Sequence, residues 1–277
     1  MYSLEDLLHL MARLRDPQYG CPWDIRQTYA SLVPYTLEEA YEVADAIESG
    51  DLAHLQGELG DLLFQVVYYS QLAREEGRFE FDGVVDSITR KLIRRHPHVF
   101  PTGDLYAPPD QPRLSEEQVK QRWDQIKAEE RAEKADAPQQ LSLLEDVPLA
   151  LPALSRAAKL QKRAAQVGFD WPAALPVVDK VREELDEVLE AMADNDQPAI
   201  EEEIGDLLFV VVNLARHLKV DPESALRGAN AKFDRRFRFI EQALRDTHRP
   251  IEDCTLEDLD ALWGEAKRQE KNLPSCG

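Results

Sequence analysis

Glycine is scarce in this chain, at 12 of 277 residues. No run of alternating apolar and polar residues lies between turn residues. With few glycines for tight turns and no alternating run, the pattern points away from hairpin-built sheets. Cysteine is scarcer still. Cys21, Cys254 and Cys276 lie far apart and form no C-x-x-C pair, which argues against a disulfide framework or a structural zinc site. Positive charge is also short: 33 Lys and Arg stand against 53 Asp and Glu, for a net charge of −20. A duplex nucleic-acid binder would carry the opposite excess, so no nucleic-acid partner is expected. No apolar run is long enough to span a bilayer, so no membrane partner is expected either. The opening MYSLEDLLHLMARLRD has early acids and no basic segment leading into an apolar one, unlike a secretory signal. The default expectation is a cytoplasmic protein in a reducing setting. Two further motifs are missing. Without G-x-x-x-x-G-K-[ST] there is no P-loop, and without Glu-x-x-His a ferritin-like di-iron bundle is disfavoured.

Helix formers fill the gap. Ala, Leu, Glu and Arg abound, and 43% of residues are hydrophobic, enough for a core. The chain also repeats itself. GELGDLLF at 57–64 returns as EIGDLLF within 201–209. At one fixed displacement Glu38, Glu39 and Glu42 fall on Glu183, Glu184 and Glu187, while Glu58 and Asp61 fall on Glu203 and Asp206. With a slip of a few residues, Lys91, Arg95, Trp123 and Lys127 meet Lys232, Arg236, Trp263 and Lys267. So long a period indicates two copies of one domain rather than a solenoid. The expected fold is all-α, with two tandem four-helix-type domains over 1–134 and 153–277. The Pro-rich stretch 135–152 would be the linker.

Cap signals place the helices. Thr36-Leu37-Glu38-Glu39 reads as a capping box opening a helix to about Glu48, and Asp51 as the cap of the next, to about Glu76. A third spans 82–95, and Ser115 to Gln118 opens a fourth. The second copy repeats them near 173–194, 198–219, 222–246 and 255–271, with Asp221-Pro222 as N-cap and N1. Further helices near 3–15 and 153–167 precede the acidic pairs.

At 100° per residue, Val181, Leu185, Val188, Leu189 and Met192 form one apolar stripe, with Glu184 and Glu187 along its edge. Ile200, Ile204, Leu207, Leu208, Val211 and Leu218 form another, edged by Glu203 and Asp206. Leu207, Leu208 and Phe209 read as core. If the two stripes pack together, four carboxylates converge at the border. Two unit charges 4 Å apart repel by about 4 kcal/mol at an effective dielectric near 20. Such groups must separate, titrate or bind a cation, and an all-oxygen set suits Mg²⁺ or Mn²⁺. Most acidic runs on helices are simply solvated; two pairs on successive helices, written twice, strengthen the metal reading, although duplication preserves structural features too. Gly205, beside Asp206, either permits a close helix approach or is an ordinary helix glycine. Lys232 and Arg236 share a helix face, as do Trp263 and Lys267. From spacing alone, surface pairing for the cations and a half-buried anchor for Trp263 are the simpler reading. His96 and His98 read as a helix-end turn.

The pattern Glu-Glu-x-x-Glu followed by Glu-x-x-Asp resembles the signature of the MazG family of nucleoside triphosphate pyrophosphohydrolases. The resemblance runs through GCPWD, PYTLEEAYEV, GELGDLLFQVV, RRHPHVF, RWDQIKAEER, VGFDW and EEEIGDLLF, nearly the whole chain. It implies a Mg²⁺-dependent enzyme, with Mn²⁺ as a substitute, that converts NTP and water to NMP and pyrophosphate. It also implies a homodimer with the site near its interface. Carried over by position, Glu184, Glu187, Glu203 and Asp206 would hold the metal, with Glu183 or Glu184 orienting or deprotonating the water. Lys180, Lys232, Arg236, Trp263 and Lys267 would contact the nucleotide. The first copy offers Glu39, Glu42, Glu58 and Asp61 for metal, and Lys91, Arg95, Trp123 and Lys127 as weaker nucleotide contacts. It has Tyr35 in place of Lys180 and Gly57 in place of Glu202. The second copy is therefore expected to dominate turnover. A non-catalytic nucleotide sensor or protein-binding regulator is the competing class, and intact carboxylate sets in both copies weigh against it.

Overall fold

A computed structural model describes residues 1–107, 114–134, 142–145 and 147–272. Among them are eleven α-helices, one short 3₁₀ turn and no strand. The chain divides into two compact units, 1–136 and 137–277. Part of the expected linker, 135–141 and 146, lies outside the described residues.

The first unit runs α1 (Leu4–Leu14), α2 (Pro22–Ile25), α3 (Tyr29–Ser49), α4 (Leu52–Glu75), α5 (Phe81–Arg95) and α6 (Glu116–Lys134). Its core gathers Met11 of α1, Leu32 of α3, Val67, Tyr68 and Leu72 of α4, and Phe81 of α5. The long α3 and α4 form a hairpin around Gly50 and Asp51. Gly50 takes the left-handed conformation (φ 74°) that ends α3, and Asp51 accepts hydrogen bonds from the Ala53 and His54 amides to start α4. This two-residue turn sets α3 and α4 side by side and antiparallel.

One boundary differs from expectation. α3 begins at Tyr29 rather than after Thr36, because Thr28 and Ser31 form the actual capping box. Thr36 sits inside the helix, where its hydroxyl donates to the Leu32 carbonyl at 3.0 Å. Pro34 lies within the helix too. It removes one backbone bond, but burial of Leu32 holds the first turn in place. The expected box at Ser115 and Gln118 is present, with both reciprocal bonds made.

The second unit runs α7 (Ala153–Ala165), α8 (Ala174–Asp194), α9 (Gln197–His217), α10 (Pro222–Asp246) and α11 (Leu256–Asn272). α8 and α9 repeat the hairpin. Asn195 takes the left-handed position (φ 55°) that glycine holds in the first unit, and Asp196 caps α9 through the Ala199 amide. Val177, Val188, Val210, Val212, Ile240 and Leu244 are buried.

The apolar stripes on α8 and α9 do not close on each other. Of the α8 stripe only Val188 is buried, while Leu189 and Met192 are each 54% exposed. Leu208 and Phe209, expected in the core, are exposed as well. The hairpin turns other residues, such as Val210 and Val212, inward. Periodicity identifies an apolar face but not what covers it. Gly205 also settles one way: a Cβ there would meet nothing within 4 Å, so nothing among the described residues requires a glycine.

Candidate metal centre

Each hairpin carries a carboxylate cluster. On α8, Lys180, Glu184 and Glu187 follow at helical spacing, and Glu203 faces them from α9. Glu184, Glu187 and Glu203 each place an oxygen within 4.8 Å of the others. Glu184 is 4% exposed, an expensive place for a charge. Its compensation is Lys180, whose Nζ donates to Glu184 Oε1 at 2.8 Å and to Glu183 Oε1 at 2.6 Å. These two hydrogen bonds, to Glu183 first, push the Lys180 pKa above its ordinary value. Glu187 is pushed above the usual carboxylate range, chiefly by partial desolvation, then by the Glu184 and Glu203 charges, with Lys180 opposing. Glu203 is raised by desolvation and by Glu184 and Asp206. Asp206 is exposed and stands outside the tight group, although its charge is felt at Glu203.

In the first unit the group is Glu39, Glu58 and Asp61. Glu39 is raised by desolvation first, then by the charges of Asp61 and Glu42. Glu42 is the outlying member here. Each copy thus brings together three of its four expected acids, and the one left out differs. Among the described residues no lysine is paired with Glu58, which is 8% exposed. Its partner is His54, whose Nε2 lies 3.1 Å from Glu58 Oε1. Tyr35, at the position of Lys180, packs edge-on against Trp23 instead.

The other expected residues form a second group on α10 and α11. Arg236 pairs with Glu270 at 2.7 Å and stands over the Trp263 ring, 5.3 Å from its centroid. Lys267 Nζ is 6.0 Å from the same centroid, and Lys232 is exposed nearby. Glu270 is held below the usual carboxylate range, mostly by the Arg236 hydrogen bond. In the first unit Arg95 and Arg94 both pair with Glu130, and Trp123 meets His96 edge-on. Glu130 drops to about 2, led by the Arg95 hydrogen bond. Lys91 is exposed, and the Lys127 side chain lies outside the described residues. Within either unit, no described hydrogen bond or ion pair joins the cation group to the carboxylate cluster.

Sequence reasoning missed His54, Glu130 and Glu270. All three had a signal. His54 stands one turn before Glu58, and Glu130 maps on Glu270 in the same alignment that maps Trp123 on Trp263.

Helix hairpins that each gather three carboxylates, with no strand among the described residues, define an all-α carboxylate-site protein. A family model described as the MazG nucleotide pyrophosphohydrolase domain matches this chain twice, at 27–100 and 175–238, and each match contains one cluster. A nucleoside triphosphate pyrophosphohydrolase of Escherichia coli K12 is 53% identical over 275 residues, 99% of this chain and 100% of that protein. The nucleoside triphosphate pyrophosphohydrolase/pyrophosphatase MazG of Thermotoga maritima is 43% identical over 263 residues, 95% of each chain. The chain belongs to the MazG family of nucleoside triphosphate pyrophosphohydrolases.

Proposed function

We propose that this enzyme hydrolyses nucleoside triphosphates to the monophosphate and pyrophosphate, using Mg²⁺ or, in its place, Mn²⁺. The observation that carries this reading is the buried Glu184 meeting Glu187 and Glu203, with Lys180 as its described counter-ion. Hard, closely spaced oxygen donors fit a small divalent cation. Glu184, Glu187 and Glu203 would hold it, with Asp206 joining by a change of rotamer. Bound there, such an ion supplies Lewis acidity and lowers the pKa of water.

The protein's own groups do the rest. Glu183 is the exposed carboxylate next to the cluster, and Glu183 or Glu184 orients the attacking water toward the α-phosphorus and accepts its proton. Lys180 already lies on these acids and needs only to swing outward to meet a phosphate oxygen. Lys232, Arg236 and Lys267 offset charge on the leaving pyrophosphate, and Trp263 offers a flat face to the nucleoside. Arg236 exchanges its Glu270 partner for phosphate.

No described ion pair joins the carboxylate and cation groups within one unit, and apolar side chains such as Leu189, Met192 and Leu208 are exposed on the hairpin that carries the acids. A second copy of the chain covering that face, in a homodimer, accounts for both features. The second tandem copy carries most of the turnover, on cytoplasmic nucleotide pools. Incubation with each NTP and Mg²⁺, followed by identification of products, tests the reading. NMP and pyrophosphate support it. NDP with phosphate, or no turnover with either cation, overturns it. Light scattering tests the dimer, and a strict monomer at micromolar concentration refutes it.

A further inference from the structure

The cation group of the second unit already holds an anion of its own. Trp263, Lys267 and Glu270 follow at i, i+4 and i+7 along one face of α11. Arg236 Nε donates to Glu270 Oε2 at 2.8 Å, and its Nη2 lies 2.7 Å from the same oxygen. Glu270 Oε1 lies 3.8 Å from Arg235 Nε. One carboxylate thus meets two guanidinium groups. The Arg236 hydrogen bond, then the charges of Arg235 and Lys232, hold its carboxyl below the usual range. Joining α10 to α11 does not call for this pair. Phe233 of α10 meets Trp263 of α11 at 5.4 Å, and Ile240, Leu244 and Ala266 are buried on the same two helices. A partly exposed ion pair adds little to such packing. Its clearest consequence is that Arg236 is kept occupied. The first unit repeats the device, with Arg94 and Arg95 both on Glu130.

We infer that Glu270 is an internal competitor for the substrate's polyphosphate: it must leave Arg236 before a phosphate takes its place, and so sets an affinity threshold that polyphosphates pass and single phosphates do not. A guanidinium uses the same N–H donors for carboxylate and phosphate, so the two exclude each other there. Every anion that binds Arg236 loses the same Glu270 pair. A triphosphate or pyrophosphate offsets that loss by meeting Lys232, Arg235 and Lys267 as well, and inorganic phosphate has too little charge and reach to do so. As pyrophosphate leaves, Glu270 returns to Arg236, which keeps the product from lingering on the group.

This inference rests on the proposed reading of the cation group as a phosphate site. The test uses the full chain with Mg²⁺ and two probes: inorganic pyrophosphate, and a nucleoside triphosphate with a methylene bridge between its α- and β-phosphorus. Both are titrated by calorimetry, and pyrophosphate is also measured as an inhibitor of turnover. Glu270→Gln keeps the shape and an acceptor for Arg236 but removes the charge. It is expected to tighten both probes by about three- to tenfold at low salt, with the gain shrinking as salt screens the pair. Glu270→Ala, which removes the acceptor too, should tighten them at least as much. A merely structural pair gives neither the gain nor its salt dependence. Unchanged or weaker binding in both variants means that Glu270 positions Arg236 rather than competing for it, and overturns the inference alone. Arg236→Met tests the reading beneath it. If that variant binds both probes as the parent does, the group is not the phosphate site, and reading and inference fall together.

Discussion

The two halves of this chain use one hairpin to bury one carboxylate each, and they compensate it differently. Glu184 leans on a lysine from its own helix, and Glu58 on a histidine from its own helix. Lysine is a permanent cation at neutral pH, reaches two acids at once and can swing to a phosphate. Histidine is neutral over much of the physiological range and offers a lone pair instead. The hairpin makes the cluster, and the residue one turn away that meets its buried acid differs between the copies.

The largest expected effect tests the division of labour. Glu203→Gln should lower pyrophosphate release by at least about a hundredfold, because it removes a central oxygen donor. Glu58→Gln should leave most of the turnover. If Glu58→Gln abolishes activity and Glu203→Gln does not, the assignment of the working site is reversed.

Lys180 comes next. Lys180→Met should lower kcat by about ten- to a hundredfold, through loss of charge stabilisation on the phosphates. It should also leave Glu184 buried and unpaired without metal. The variant should therefore gain more thermal stability from Mg²⁺ than the parent does. Tyr35→Lys makes the reverse exchange. If it leaves Mg²⁺ binding at the first cluster unaltered, the counter-ion at this position does not set the contrast between the sites.

A smaller effect concerns the cation groups. Glu130 has two arginine partners and Glu270 one close partner. With its pKa down at about 2, Glu130 favours the folded state at any pH above the ordinary carboxylate value of 4.5, and loses that contribution as pH falls toward 2. Partial solvent access keeps the contribution to about 1 kcal/mol. Glu130→Gln should flatten the acid limb of the stability curve more than Glu270→Gln does. Equal flattening would remove this distinction between the copies.

The all-helical fold was legible because each helix carries its own signals. Asp51, Asp196 and Asp221 cap through local side-chain bonds, and spacing put the acids on facing edges. The Thr36–Glu39 reading misled because capping-box spacing also occurs inside a helix, while the actual box at Thr28 lies eight residues earlier. The carboxylate clusters were legible from the repeat. The outlying positions of Glu42 and Asp206 were not, since rotamers answer to neighbours on another helix. The exposed faces of Leu189 and Leu208 were missed for the same reason. A period of 3.6 residues marks an apolar stripe without saying which surface meets it.

The smallest effect bears on the glycine that precedes the aspartate of each hairpin. Gly60 precedes Asp61 and Gly205 precedes Asp206, and a Cβ at either would meet nothing within 4 Å. Neither has a positive φ, since neither belongs to the set of left-handed glycines. Alanine at both places should therefore stabilise the helix by about 0.5–1 kcal/mol, mainly by restricting the unfolded chain. Thermal melts of Gly60→Ala and Gly205→Ala compare them directly. Matching gains mean that both glycines are solvent-facing helix residues. A gain at Gly60 with a loss at Gly205, deepening with protein concentration, means that another chain packs against α9 beside Asp206. That outcome would make the second site the one completed by dimerisation.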